Sequence, residues 1–246
     1  MTAAAPYYRS DLALVHHRGF GFHADACAPG IITLLDPVRA SGGVVVEFGC
    51  GSGLLTRHLV DAGLRVLATD ASPAMLELAR TTVPDAEGVA SLRLPDDPVP
   101  DADAIVGVGH PINYLPDAAA IERALVAIAD ALRPGGVLAF DVCDLEWGAL
   151  RRGQPNEGRV ADDWAIVTRY DLPAPDDYVR HITSFVPDGD GRWRRDDEEH
   201  HNVLVDTSTL PALFAQHDVD VEVRESFGTE VLPAGLRAVV GRKRTA

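Results

Sequence analysis

The sequence predicts an α/β protein with a doubly wound, mostly parallel sheet, preceded by a helical cap and followed by a small antiparallel β insert. Three observations predict this fold. From residue 43, short β-branched runs alternate with amphipathic helical stretches, which is typical of a parallel sheet covered on both faces. Residues 1–40 show only helical periodicity. Beyond residue 160, alternating runs flank an Asp-Gly turn, which is a strong sign of a β-hairpin.

The cap and the parallel core follow one another along the chain. Asp36-Pro37 and Ser41-Gly42-Gly43 end the helical pattern of the cap. The core strands are expected at 44–48, 65–69, 89–94, 104–108 and 137–142. The core helices are expected at 53–62, 73–80 and 118–132, and Pro134-Gly135-Gly136 stops the last of them.

The insert and the last core elements complete the pattern. The insert strands are expected at 164–170, 177–186 and 192–205, with a turn at 188–191. A helix near 208–217 and strands at 219–227 and 236–243 follow. Because the two final strands are arranged like a hairpin, we expect an antiparallel member at one edge of the main sheet.

Length and composition fit a single domain. The chain has 246 residues, of which 46% are apolar and 24% charged, and this is ordinary for a globular protein. We expect a cap at 1–40, a core at 41–150, an insert at 160–206 and completion of the core sheet at 207–246. Two independent domains would be cramped at this length.

Charge and cysteine content exclude several classes of function. The net charge of −15 opposes binding to nucleic acid or to an anionic membrane. Three widely separated cysteines without a CxxC spacing indicate neither a disulfide framework nor a zinc site. No leader pattern and no apolar run of about 20 residues is present, so we expect a cytoplasmic protein without a membrane anchor.

A glycine-rich turn carries the clearest chemical signal. The buried run 44–48 leads directly into Gly49-Cys50-Gly51-Ser52-Gly53 at the start of a helix. Without Cβ atoms the turn can bend sharply and approach a ligand closely, while the helix N-terminus offers free N–H groups. Leu54 stands where a dinucleotide-binding turn requires its third glycine. Asp70 ends the second strand, where a carboxylate can accept hydrogen bonds from both ribose hydroxyls.

Together these motifs resemble the class I methyltransferases that use S-adenosyl-L-methionine (SAM). The resemblance rests on the glycine turn, on Asp70 with the following 71–76 helix start, and on 132–136 before a strand. It is most specific at 43–145 and looks closest to small bacterial members with a helical cap, an Asn113-Tyr114-Leu115 element and a β insert ending near 198–201. The resemblance implies a Rossmann-like sheet of seven strands with the last one antiparallel.

The resemblance also implies which residues bind SAM and release S-adenosyl-L-homocysteine (SAH). Glu47 and the glycine turn, Cys50 included, would surround the methionine part and the ribose, and Asp70 would hold the ribose diol. Gly109 would lie near the sulfonium. Ala71 and Met75 would flank the adenine. Relatives often carry an Asp after the third strand, but this chain has Ser91-Leu92 there, which leaves Ser91 or a backbone group for the adenine amino group.

Histidines supply the candidate catalytic bases. His110 follows the fourth strand at the carboxyl edge, where open α/β sheets bind ligands, although a histidine bonded to loop backbone is an equal alternative. His200 and His201 lie on an insert strand, so one should face the site and the other solvent. The aromatic and histidine residues of the cap, at 7–23, could form a lid, although plain packing is the more common role.

We expect no metal site, because the cap histidines lack a ligand spacing. Asp141, Asp144 and Glu146 could hold a hard cation, but loop carboxylates and a helix cap are the more common explanation. The sequence therefore predicts a SAM-dependent methyltransferase that acts on an oxygen or nitrogen atom of a small molecule, as a monomer or homodimer. A nicotinamide oxidoreductase and a SAM-binding module without catalysis are the alternatives.

Overall fold

The structure, a computed structural model, describes residues 7–245 of the chain. The first six residues of the predicted cap and Ala246 therefore lie outside the described residues. The helices are α1 (Ser10–Gly19), α2 (Phe22–Leu34), α3 (Asp36–Ser41), α4 (Leu54–Asp61), α5 (Pro73–Thr82), α6 (Ala118–Ala131), α7 (Leu145–Leu150) and α8 (Leu210–Ala215). None of the helices between residues 7 and 245 has the length and apolar character needed to cross a membrane.

Eleven strands form two sheets within the described residues. The strands are β1 (Val44–Phe48), β2 (Arg65–Asp70), β3 (Gly88–Ser91), β4 (Ala102–Gly107), β5 (Leu132–Cys143), β6 (Glu157–Val160), β7 (Ala165–Ala174), β8 (Asp177–Pro187), β9 (Trp193–Val203), β10 (Val219–Arg224) and β11 (Leu236–Lys243). The main sheet has seven strands in the order β10-β11-β5-β4-β1-β2-β3. The insert sheet has the order β6-β7-β8-β9. The predicted α/β class, seven-stranded sheet, cap and antiparallel insert are confirmed.

The antiparallel strand of the main sheet is β11, the last one in the chain. It pairs antiparallel with both β5 and β10. The expected position of this strand at the edge was wrong, because β10 occupies the edge and β11 lies inside it. A hairpin-like pair can add to a sheet through either of its strands, and the apolar β11 run 236–240 is the one that suits an interior position, since it is mostly buried.

Capping residues explain where the main helices begin. Ser72 accepts a hydrogen bond from the N–H of Met75 at 3.2 Å, and Pro73 occupies the first turn of α5. Asp117 accepts one from the N–H of Ala120 at 2.7 Å and starts α6. The strand expected at 89–94 ends at Ser91, because the chain turns away towards Pro95, which has no N–H to donate to a neighbouring strand.

The main sheet is covered on both faces, and the cap joins it to the insert. Val45 belongs to the core on one face and Val46 to the core on the other, as alternation along a strand requires. A third apolar cluster packs α1 against the insert sheet. Its buried members are Leu12, Val15, Trp164, Ile166, Ile182 and Val186.

Candidate active site

The glycine turn leaves β1 and enters α4 through three left-handed backbone positions. Gly49, Gly51 and Gly53 have φ angles of +64°, +54° and +82°. A Cβ atom on Gly49 would lie 2.4 Å from the Cβ of Pro111, so this position needs glycine for close packing as well as for its φ. A Cβ atom on Gly51 would meet only the Met75 sulfur, at 3.9 Å. Gly51 therefore faces open space that a ligand can enter.

Asp70 lies at the end of β2 beside this turn. One of its carboxylate oxygens accepts the N–H of Gly51 at 2.8 Å, and the other accepts the N–H of Ser72 at 2.7 Å. Burial raises the pKa of Asp70, while these backbone hydrogen bonds oppose the rise. Each oxygen keeps a lone pair, so the carboxylate can still accept the hydroxyls of a ribose.

Glu47 is the second carboxyl group at this edge. It is 1% exposed, and the Thr56 hydroxyl donates to it at 2.7 Å. Burial raises its pKa to about 8, so the free protein holds it largely protonated at neutral pH. A cationic ligand group beside Glu47 would favour the ionised form.

The other predicted cofactor residues differ in how far they are exposed to solvent. Cys50 and Met75 are buried, whereas Ala71 and Ser91 are exposed. Ser91 pairs with Asp70 across β2 and β3, and the N–H of the buried Leu92 donates to the Asp70 carbonyl at 3.1 Å.

Gly109, just after β4, has a φ of +86°, and a Cβ there would meet nothing within 4 Å. Open space beside Gly51 and Gly109, with two carboxyl groups close by, suits a cationic adenosyl cofactor.

A cavity of about 810 Å³ lies between the cap, the carboxyl edge of the main sheet and the insert. Gly109 and His110 line it, and no residue of the glycine turn does. The cavity therefore begins at the point where the reactive end of the cofactor is expected. Its volume suits a small organic molecule.

Unsatisfied polar atoms are concentrated around this cavity. Five buried side-chain nitrogens have no hydrogen-bond partner among the described residues, and four of them belong to residues that line the cavity. These four are His16 Nδ1, His110 Nδ1, Arg180 Nε and Asn202 Nδ2, and the fifth is His200 Nδ1 beside them. Buried polar atoms are normally paired, so this cluster is prepared to bind a polar ligand.

Three histidines of this cluster, His16, His110 and His200, are neutral at physiological pH. Burial lowers the pKa of His110 to about 3 and that of His16 to about 4, and the nearby Arg180 charge adds to both effects. Burial also lowers the pKa of His200, against the opposing effect of the hydrogen bond that its Nε2 donates to Glu198. The His110 ring stacks on Tyr114 with centroids 5.5 Å apart. A neutral imidazole with a free nitrogen can accept a hydrogen bond from an acceptor molecule.

Comparison with known proteins identifies the core. Residues 46–138 match the family described as "Methyltransferase domain". This part of the chain is therefore similar to methyltransferase domains. An uncharacterized methyltransferase of Mycobacterium tuberculosis is 34% identical over 133 residues, which are 53% of this chain and 52% of that protein. The corresponding protein of Mycobacterium bovis gives the same values. The match thus spans about half the length of these curated relatives.

Solved structures share the fold of this chain over nearly its whole length. A SAM-dependent methyltransferase from Clostridium acetobutylicum has a TM-score of 0.76 at 17% identity, covering 95% of this chain and 98% of that one. A sugar N-methyltransferase from Streptoalloteichus has a TM-score of 0.75 at 20% identity, covering 100% and 98%. A SAM-bound amino pentose methyltransferase from Micromonospora echinaspora has a TM-score of 0.70 at 19% identity, covering 98% and 99%.

The structure separates the three predicted catalytic histidines. His200 lies opposite Arg180 across β9 and β8 and packs against Tyr114, with ring centroids 5.7 Å apart. His201 lies on the other face of the insert sheet, half-exposed and near Asp177 and Glu199. His110 and His200 are thus brought together around Tyr114, and His201 is not.

An ion pair that the sequence did not reveal joins the cap to the main sheet. His23 Nε2 lies 2.6 Å from an oxygen of Asp141, which is fully buried in β5. Asp141 also accepts the N–H of Gly109 at 3.1 Å and that of His110 at 2.6 Å. Burial opposes protonation of His23, but the hydrogen bond and charge of Asp141 prevail and raise its pKa to about 10. An Asp inside the apolar run 137–142 was the available signal, because a buried carboxylate needs a partner.

The carboxylates considered for a cation have other roles. Asp141 is a buried ion-pair partner and not a solvated loop residue. Asp144 caps α7 by accepting the N–H of Glu146 at 2.9 Å, as the helix-cap explanation predicts. No cluster of three or more metal-ligating side chains occurs in the part of the chain from 7 to 245.

The cap contacts both the glycine turn and the insert. The His17 ring bonds to the Ser52 hydroxyl at 2.9 Å, and the Ser72 hydroxyl donates to the Tyr8 carbonyl at 2.8 Å. Glu198 of the insert accepts the N–H groups of Tyr8 and Arg9, both at 2.8 Å. The aromatic residues of the cap therefore pack against the insert and also line the cavity.

Proposed function

We propose that the chain is a SAM-dependent methyltransferase that modifies an oxygen or nitrogen atom of a small molecule bound in the 810 Å³ cavity. The observation that carries this proposal is the cluster of unpartnered, buried polar atoms at the end of β4, next to Gly109. The class I fold and the methyltransferase family match support the reaction class.

The chain's own residues would bind and orient the cofactor. Asp70 would accept the ribose hydroxyls, Glu47 would ionise beside the cationic amino-acid part, and Gly51 and Gly109 would allow close approach of the backbone. When bound, SAM supplies a methyl group on a positively charged sulfur. Alignment of the reacting atoms is worth up to about 7–11 kcal/mol, so positioning can provide most of the rate.

His110 would then accept a hydrogen bond from the acceptor's hydroxyl or amino group and hold that group's lone pair towards the methyl group. The methylated atom would lose its proton to water after the product leaves, because a group with a pKa of about 3 does not retain a proton at neutral pH. The free Nδ1 of His110 is buried at the cavity wall, and the pKa of about 3 keeps the ring neutral over the whole physiological range. The cap would help to exclude water from the site, since Tyr8 and His16 line the cavity together with Gly109 and His110.

Label transfer from SAM is the direct test of this proposal. The purified chain is incubated with methyl-labelled SAM and a small-molecule cell extract, and labelled metabolites are separated from protein and nucleic acid. We expect label in small molecules, and none with the Asp70→Ala variant. Sugars and amino sugars are natural first acceptors, since two of the fold relatives are named for them.

Two outcomes distinguish the alternatives. Binding of SAM without label in any metabolite would favour a regulatory SAM-binding module. Binding of a nicotinamide dinucleotide in place of SAM would favour an oxidoreductase. Sedimentation of the same preparation distinguishes the proposed monomer from a homodimer.

A further inference from the structure

The cavity differs in charge from the rest of the molecule. The chain carries a net charge of −15, yet four arginines and one carboxylate line the cavity. The arginines are Arg151, Arg152, Arg159 and Arg180, and the carboxylate is Glu157. Such a local reversal of sign attracts anions into this cavity.

The positive charges of the cavity are not neutralised by protein carboxylates. None of the four arginines forms an ion pair within residues 7–245. Glu157 instead accepts hydrogen bonds from Gln154 at 2.6 Å and from the Tyr170 hydroxyl at 2.8 Å.

Arg180 is the innermost of these cations. On the insert sheet it lies directly opposite Tyr170 on one side and His200 on the other, so all three side chains share the face that lines or borders the cavity. One guanidinium nitrogen donates to the Tyr114 hydroxyl, and the group lies 5.4 Å from the Tyr114 ring centroid. Its Nε is buried and has no partner among the described residues.

A guanidinium with a buried Nε and no counter-ion is costly for the fold. Arginine stays charged in proteins, so Arg180 cannot avoid this cost by losing a proton. The groups packed around it are the His16, His110 and His200 rings and the hydroxyls of Tyr8 and Tyr114, and none of them is a carboxylate. An anionic ligand would supply the missing negative charge.

We propose that the cavity recognises a methyl acceptor that carries an oxyanion, a carboxylate or a phosphate, and that Arg180 binds this group. The planar guanidinium presents donors in a fork that matches two oxygens of either group. Arg152 at the cavity wall adds to the attraction. This inference rests on the proposed function, because it names the chemical class of the acceptor of the same site.

The carboxylate of the cofactor is the other possible source of an oxyanion. The expected methionine-binding residues, Glu47 and the glycine turn, do not line the cavity that contains Arg180. This separation favours the acceptor as the source. Separate titrations with SAH and with small anions distinguish the two.

The experiment titrates the full chain with inorganic phosphate and, separately, with acetate, in the presence of saturating SAH. Tryptophan fluorescence reports binding, since Trp147 lines the cavity. We expect at least one anion to bind at millimolar concentration, and Arg180→Gln to weaken it about tenfold or more, because hydrogen bonds to charged groups are lost. Arg180→Lys keeps the positive charge but loses the forked arrangement of donors, so its anion affinity should lie between those of the wild type and Arg180→Gln.

Arg169→Gln is the matched control. Arg169 lies on the neighbouring strand β7 but is exposed on the opposite face, so its loss should leave anion affinity within about twofold, as for other screened surface charges. If Arg180→Gln fails to fold, as judged by circular dichroism, Arg152→Gln provides the second test and should weaken anion binding about threefold, a typical loss for one partly screened charge.

Three results would overturn the proposal. The first is wild-type protein that binds neither anion. The second is an anion affinity of Arg180→Gln equal to that of the wild type or, if Arg180→Gln does not fold, an equal affinity of Arg152→Gln. The third is an Arg180→Gln variant that loses SAH affinity while its anion affinity stays unchanged, which would assign the guanidinium to the cofactor. Failure of wild-type SAH binding with normal anion binding would contradict the proposed function and leave the anion site standing.

Discussion

At the scale of single residues, His110 shows how the backbone holds the group that we propose to contact the acceptor. Its φ of +50° is unusual for a non-glycine residue, and Asp141 holds its N–H at 2.6 Å. This arrangement fixes the ring against Tyr114 with Nδ1 unpartnered. Backbone strain of this kind is stored at functional sites when the surroundings hold it in place.

We predict that His110→Ala lowers kcat about tenfold and changes KM less, because loss of one hydrogen bond to the acceptor disturbs the alignment of the reacting atoms. Since the pKa of His110 is about 3, kcat of the wild type should show no titration of this residue between pH 5 and pH 8. His201→Ala, on the opposite face of the insert sheet, is the control and should leave kcat unchanged. Equal turnover by His110→Ala and the wild type would show that His110 does not orient the acceptor.

The sequence was informative about residues with a local signature and silent about residues defined by distant partners. Gly49, Gly51 and Asp70 could be identified because their roles follow from a turn and a strand end. The Asp141–His23 pair could not, since its members are far apart in the chain. Arg180 was missed for the same reason, because only the folded insert shows that it faces His110.

At the scale of elements, the glycine turn separates a structural role from a binding role. Gly49→Ala places a Cβ 2.4 Å from Pro111, whereas Gly51→Ala places one in open space. Both positions have a left-handed φ, which costs alanine about 1 kcal/mol. We therefore expect Gly49→Ala to be the less stable variant in urea unfolding, and Gly51→Ala to remain folded but bind SAH poorly.

This comparison has a clear contrary outcome. If Gly51→Ala binds SAH as tightly as the wild type while Gly49→Ala unfolds, the open space beside Gly51 is not the cofactor site. Circular dichroism of both variants at the binding temperature provides the control for folding.

The second prediction at this scale concerns the attachment of α2 to β5. His23→Ala leaves the buried Asp141 without its cationic partner, so the free energy of unfolding should fall by about 3 kcal/mol. Asp25 lies on α2 like His23, but its partner His58 on α4 is exposed. His58→Ala should therefore change the free energy of unfolding by less than about 0.5 kcal/mol. Urea unfolding at neutral pH measures both.

The His23 contribution also depends on pH. Its native pKa of about 10 lies above the unfolded value of about 6.5, so this stabilisation is fully present below pH 6.5 and is lost as the pH rises to 10. The difference in stability between the wild type and His23→Ala should therefore shrink in alkaline solution. A difference that is constant from pH 6 to pH 10 would contradict the assigned protonated His23.

At the scale of the whole molecule, the chain is acidic overall, whereas arginines outnumber carboxylates in the lining of its cavity. The overall charge could be read from composition, and the mostly parallel character of the main sheet followed from the alternation of strands and helices. The inversion between β10 and β11 could not, because periodicity gives the strands but not their neighbours. The sign of the cavity also required the fold, since Arg151, Arg159 and Arg180 come from different elements.

The central claim is that the glycine turn and Asp70 together bind an adenosyl cofactor, and calorimetric titration with SAH tests it most directly. The wild type should bind SAH, and Asp70→Ala should weaken binding by about 1.5–3 kcal/mol for each charge-assisted hydrogen bond lost. Absence of heat with SAH at millimolar concentration, or undiminished affinity in a folded Asp70→Ala variant, would contradict the account.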